Sequence, residues 1–149
     1  MVNSDLLEKI TNKKGIILFE PSSIEDIKRM SARLISGGFP DIPQDYANFL
    51  LLSNGFYYDG MSFFGSLSHT RKQKNYEFYN LWDFNINFLE YEFFKDKLLI
   101  GHISESFIIF DKNTQVYSMI DGINLCPQIE FSNFNELFKT MLKIADINY

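Results

Sequence analysis

Apolar residues recur along this chain at two periods, helical in the first half and alternating in much of the second. The segment from Asp5 to about Lys13 reads as a short helix, capped by Asn3 or Ser4 and ended before Gly15. Ser22 precedes Glu25 by three positions and Ser23 precedes Asp26 by three, so either serine can open a second helix with a capping box. Ile24, Ile27, Met30 and Leu34 follow at helical spacing, and Gly37-Gly38 stops the run. A third helix starts around Pro43, whose missing N–H costs nothing in a first turn. Ile42, Tyr46, Phe49, Leu50 and Ser53 line one side of it, Leu51 and Leu52 widen the apolar surface, and Asn54-Gly55 closes it. A helix apolar on most sides belongs near the centre of a fold.

The period then changes. Gly60-Met61-Ser62-Phe63-Phe64-Gly65 reads as a short strand between glycines, and Leu81 to Glu90 is compatible with a helix inside a dense aromatic segment. Leu98-Leu99-Ile100-Gly101-His102, Ser106-Phe107-Ile108-Ile109-Phe110 and Val116-Tyr117-Ser118-Met119-Ile120 are strand-like, with short polar connections that predict antiparallel hairpins. A last helix is signalled by Asn133 with Glu136 three residues on, then Phe134, Leu137, Phe138, Met141, Leu142 and Ala145 on one face. The layout predicts one α+β domain over residues 1–149, an antiparallel sheet packed against N-terminal helices and one C-terminal helix.

A hydrophobic content of 46% can supply that core without disulfides or a structural metal. Fourteen basic against 19 acidic residues give a net charge of −5, which argues against nucleic acid as a partner. The lone Cys126 excludes an intramolecular disulfide and a multi-cysteine zinc site, and beside Pro127 it is expected to be a small buried residue. The polar segment Met1 to Lys9 lacks the basic and apolar regions of a secretory signal, and no apolar run reaches membrane-spanning length. The expectation is a cytoplasmic protein with no membrane partner.

Candidate chemistry is sparse. His69 and His102 stand in no metal-ligating or catalytic spacing. Asp111-Lys112-Asn113 opens like a calcium loop but lacks the sixth-position glycine and closing glutamate, so it reads as a hairpin turn. No glycine-rich phosphate cradle occurs, and the basic cluster Arg71-Lys72-Gln73-Lys74 reads as a solvated loop. No catalytic residue, metal or cofactor is expected. Tyr76, Phe78, Tyr79, Trp82, Phe84, Phe88, Tyr91, Phe93 and Phe94 are divided between core and interface, with Tyr and Trp the better candidates for exposure. Glu77, Asp83, Glu90 and Glu92, with Asp59 nearby in sequence, would give that segment an acidic-aromatic face.

Ile42-Pro43-Gln44-Asp45-Tyr46-Ala47-Asn48-Phe49-Leu50, followed by Ser53-Asn54-Gly55, resembles the Leu-Pro-x-Asp-Tyr-x-x-Phe-Leu and Asn-Gly signature of the SMI1/KNR4 (SUKH) superfamily. Leu98-Leu99-Ile100-Gly101, Phe110-Asp111, Val116-Tyr117 and Asp121 follow the order of that family's later motifs. Tyr57-Tyr58-Asp59-Gly60-Met61-Ser62-Phe63-Phe64-Gly65 is similar to the YrhA-like branch. The resemblance runs from about Pro21 to the C-terminus. It departs at Ile103-Ser104-Glu105-Ser106, which lacks the common turn glycine, and Asn80-Leu81-Trp82-Asp83 is a loose counterpart of the family's segment there.

The resemblance implies an SMI1/KNR4-like fold and a non-enzymatic, protein-binding module. Bacterial members are largely immunity proteins that block a cognate toxin; fungal relatives regulate through protein contacts, which is the alternative reading. The expected partner is a cognate toxin protein, with a basic nuclease as the charge-matched example, and the chain itself a monomer or weak homodimer. The candidate partner-binding residues are Tyr57, Tyr58, Asp59, Glu77, Trp82, Asp83 and Glu90.

Overall fold

The computed structural model describes residues 2–67, 69–71 and 76–149, with the backbone alone for 69–71, 76 and 77. Three helices open the chain: α1 (Ser4–Thr11), α2 (Ile24–Ser36) and α3 (Gln44–Leu50), with strand β1 (Ile17–Leu18) between the first two. The caps are those open to the sequence. Asn3 Oδ1 accepts the Leu6 N–H at 3.0 Å, and Ser23 Oγ, not Ser22, accepts the Asp26 N–H at 3.0 Å. α3 ends at Leu50, short of the predicted Asn54, and Leu51 and Leu52 sit half-buried in the turn that follows.

Strands β2 (Phe56–Tyr58) and β3 (Met61–Phe63) form a hairpin, and β4 (His69–Arg71) with β5 (Tyr76–Phe78) forms a separate two-stranded ribbon. A short helix α4 (Leu81–Asn85) runs into two 3-10 turns, Ile86–Phe88 and Glu92–Phe94. The meander β6 (Lys97–Ile103), β7 (Ser106–Asp111) and β8 (Val116–Asp121) follows, then β9 (Pro127–Phe131) and α5 (Phe134–Ile144), whose Asn133 cap accepts the Glu136 N–H at 2.9 Å. The main sheet has seven strands in the order β1-β2-β3-β6-β7-β8-β9, every neighbouring pair antiparallel. The predicted α+β domain, with three consecutive antiparallel strands at its centre, is present.

Alternation along the meander divides two cores. Leu98, Ile100, Ile108, Phe110 and Tyr117 point into the main one, with residues of α1, α2, α3 and α5. Leu99, Ile109 and Ile120 point the other way, where Phe94 and the half-buried Phe84, Phe88 and Phe93 cover them. Ring centroids of Tyr46, Phe49, Phe63, Phe134 and Phe138 lie 5.0 to 6.5 Å apart, a cluster joining α3, β3 and α5. Burying each such ring stabilises the fold by about 1.5–3 kcal/mol.

Polar groups fix how these layers meet. The Asp45 carboxylate accepts the Tyr117 hydroxyl, the Phe134 N–H at 2.7 Å and the Tyr46 N–H at 3.0 Å, which ties α3 to β8 and to the start of α5. The Tyr46 hydroxyl donates to the carbonyls of Phe64 and Ile100. Asn54 Oδ1 accepts both the Ser66 N–H (2.7 Å) and its hydroxyl (3.0 Å), and Ser22 and Ser66 share a hydrogen bond of 2.6 Å. Gly101 packs so closely on β3 that a Cβ there would lie 2.3 Å from the Ser62 carbonyl oxygen. The residues carrying the sequence resemblance are therefore, in large part, the residues that fasten this fold.

Two expectations need correction. Cys126 is exposed, because it lies in the β8–β9 connection, where its N–H donates to Asn124 Oδ1 at 2.9 Å. Ile24 is also exposed; as the first residue of α2 it projects beside Ile27, Met30 and Leu34, which alone face the core.

Candidate functional site

α4 lies along the free edge of β6 with Leu81 in the main core. Its two 3-10 turns cover the Leu99, Ile109 and Ile120 side of the sheet, and Asn85 fixes them there. Leu99 pairs with Ile109 of β7 on one side, but β3 ends at Phe63, so on its other edge β6 has no strand neighbour at Leu99. The Asn85 amide takes that place: Nδ2 donates to the Leu99 carbonyl (2.9 Å) and the Leu81 carbonyl (2.7 Å), and Oδ1 accepts the Leu99 N–H (2.8 Å). All three bonds are buried, where an unmade one costs most. Asn80 starts α4 by accepting the Asp83 N–H at 2.7 Å. Phe84 stacks on Phe64 with centroids 4.3 Å apart, and His102 lies 5.8 Å from Phe64 and 6.1 Å from Phe84. Burial pushes the His102 pKa down, and its hydrogen bond to the Gly60 carbonyl partly opposes this.

With Leu81 and Asn85 turned inward, the opposite side of the segment faces solvent. Tyr79 is 46% exposed, Leu89 55% and Tyr91 58%, and Ile86 is exposed as well. From 79 to 94 the chain carries three acids, Asp83, Glu90 and Glu92, and no base. Glu90 and Glu92 are exposed and Asp83 half-buried. Phe84, Phe88, Phe93 and Phe94 form the underside of the same layer, each at least half-buried. The division between exposed tyrosines and covered phenylalanines follows from the phenol oxygen, which gains from water what a benzene ring does not.

The residues singled out from sequence fall in separate neighbourhoods. Tyr57 is half-buried on β2, its ring 5.2 Å from Phe78, while Tyr58 packs its ring edge against Gly15. Asp59 is exposed, and its role is first a turn: Asp59 and Gly60 have φ of 41° and 83°, the paired positive angles of a two-residue hairpin loop. Trp82 is half-buried between α4 and the end of α2. Its ring meets Phe39 edge-on at 5.9 Å and lies under the Arg33 guanidinium at 4.5 Å. Glu90 sits with Leu89 and Tyr91 at the turn between the two 3-10 segments. Glu77 lies on β5, but its side chain, like the basic cluster at 71–74, falls outside the described residues.

Sequence reading missed Ile86 and Leu89 as surface residues. For Ile86 the available signal was its offset of five from Leu81, off the buried Leu81–Asn85 row. Leu89 continues that row at i+4 and is exposed because α4 ends at Asn85, so spacing gave no signal for it. Among the described residues no three His, Cys, Asp or Glu side chains gather as a metal site, and no helix is long and apolar enough to cross a membrane. Asp111 Oδ1 instead accepts the Asn113 N–H at 2.8 Å, the expected turn of the β7–β8 hairpin. No protein-family model matches the chain, and no curated protein matches it significantly.

Proposed function

We propose that this chain is a non-catalytic protein-binding module of the SMI1/KNR4 type, and that it acts as an immunity protein by stoichiometric occlusion of a toxin. The observation that carries the reading is the face built on α4: Tyr79, Leu89 and Tyr91 stand exposed in a segment whose only charges are acidic. Exposed aromatic and aliphatic side chains are the usual anchors of a protein interface, and surrounding charges of one sign steer the complementary partner. A partner with a basic surface, such as an enzyme that acts on nucleic acid, matches an inhibitor of net charge −5. Trp82, covered by Arg33 and Phe39, supports this face from behind and makes a poor anchor. The sequence resemblance supplies the class of function, and the acidic-apolar face supplies its means.

Co-expression is the direct test. A cell producing the toxin-like product of a neighbouring reading frame should survive when this chain is present, and the purified pair should form a 1:1 complex. Survival should be lost with Leu89→Asp plus Tyr91→Asp in a protein that still folds. A complex with a harmless partner, and no rescue, would favour the regulatory reading.

A further inference from the structure

A second surface, on α2, is independent of the α4 face. α2 buries Ile27, Met30 and Leu34, yet it also carries Ile24, 59% exposed, and Ile35, 55% exposed, eleven residues apart on an adjoining stripe. That stripe forms one wall of a groove of about 530 Å³, and Ala47 and Leu51 help to form the other. The two helices run in opposite directions, since the Ser22 N–H donates to the Leu50 carbonyl at 2.8 Å. The groove thus has an Ile24–Leu51 end and a loop end at Ile35 and Asp41, about 16 Å apart at the rise of a helix.

We propose that this groove receives one amphipathic α-helix of a partner protein, with aliphatic anchors, a basic group at one end and a carboxylate about two turns further along. Three features select that occupant. Both long walls are helices, whose backbone groups are already bonded internally; an extended peptide would leave its own N–H and C=O groups unmet there, and a helix meets its own. The groove's charges are Lys28, midway along α2, and Asp41 at the loop end, both exposed. Lys28 lies seven residues before Ile35, which sets the spacing of the complementary acid and base. Eleven of the described residues line the groove. A stable interface between two globular copies needs roughly 20–30 residues a side, so the area suits a single helix and falls short for a second copy of this chain.

The probe is a side-chain-stapled peptide of about sixteen residues, since unconstrained helices of that length are marginal in water. It carries leucines at helical spacing with an arginine and a glutamate two turns apart, and its twin has the two charges exchanged. Fluorescence anisotropy should give micromolar binding of the first peptide to the full chain, at least about tenfold weaker for the twin. Amide shifts should map to α2 and α3. Ile35→Asp, and separately Ile24→Asp, should weaken binding at least about tenfold with unchanged melting, and Lys28→Glu should reverse the preference between the twins. No binding up to about 1 mM, equal binding of both peptides, or shifts confined to other elements would overturn the proposal. So would a dimer in light scattering that Ile35→Asp dissociates.

Discussion

Asp45 concentrates more of the fold's polar stabilisation than any apolar residue could, because its two oxygens serve three elements. Its partner Tyr117 is buried, and burial first, then the hydrogen bond and charge of Asp45, push that phenol's pKa well up, so the hydroxyl stays a donor. Asp45→Ala would leave the Tyr117 hydroxyl and the Phe134 N–H unmet; at about 1–3 kcal/mol for each orphaned group, the expected loss is about 3 kcal/mol. For a domain of this size that is a fall in Tm of roughly 6–12 °C, with a smaller fall for Asp45→Asn, which keeps one acceptor. Unchanged melting of the alanine variant would show that the carboxylate does not join these elements. His102 gives the residue scale its pH dependence. Unfolded, it takes up a proton near pH 6.5, and folded beside the stacked Phe64 and Phe84 rings only at lower pH. Below about pH 6.5 the unfolded state therefore binds more protons, so stability present above that pH is lost as pH falls through the folded pKa. His102→Gln should flatten this acid-side decline in thermal melts taken between about pH 7.5 and 5. A decline as steep as the wild type's would place its origin elsewhere.

Between elements, α2 and α4 meet in a close joint. Gly37, with an ordinary φ of −84°, closes α2, and a Cβ there would stand 2.6 Å from Trp82 Cζ3. Gly37→Ala should therefore destabilise by about 1–3 kcal/mol through overpacking, with a shifted emission from the chain's one tryptophan. In a Trp82→Ala background the same change should cost little, and a double-mutant cycle on urea melts measures the coupling. Additive costs would mean that the two residues do not touch. Such joints are illegible in sequence, since nothing in Gly37-Gly38 beyond a helix stop announces an indole from a residue 45 positions later. The meander β6–β8 was legible because each strand alternates between two cores over six or seven residues. β1, β2 and β9 were not: two have only two or three residues, and β9 begins at a proline and is largely exposed. The candidate face was half legible. Composition marked an acidic, aromatic stretch and favoured tyrosine for exposure, while Asn85, which decides the side that turns outward, looked like any loop asparagine.

At the scale of the molecule, the two surfaces differ in how they should respond to salt. The segment 79–94 that carries the α4 face has three acids and no base among its 16 residues, in a chain of net charge −5. A basic partner would be drawn to it over a distance set by the Debye length, about 8 Å at physiological ionic strength. The α2–α3 groove carries one base, Lys28, and one acid, Asp41, and has no such bias. Glu90→Lys with Glu92→Lys moves the net charge from −5 to about −1 and reverses the sign of the field at this face. Both glutamates are exposed, and such groups contribute under about 1 kcal/mol to stability, so Tm should move by no more than a few degrees. Association with the toxin identified by rescue should slow by at least about tenfold at low salt. Raising salt should slow the wild type and leave the doubly reversed protein unchanged or faster, since screening then removes a repulsion. Leu89→Ala should act on the other rate: association unchanged, dissociation faster, as expected for an apolar anchor. Ile35→Asp, in the α2–α3 groove, should alter neither rate. Stopped-flow mixing across a salt series separates these effects. Wild-type association by the doubly reversed protein at every salt concentration would place the toxin on another face.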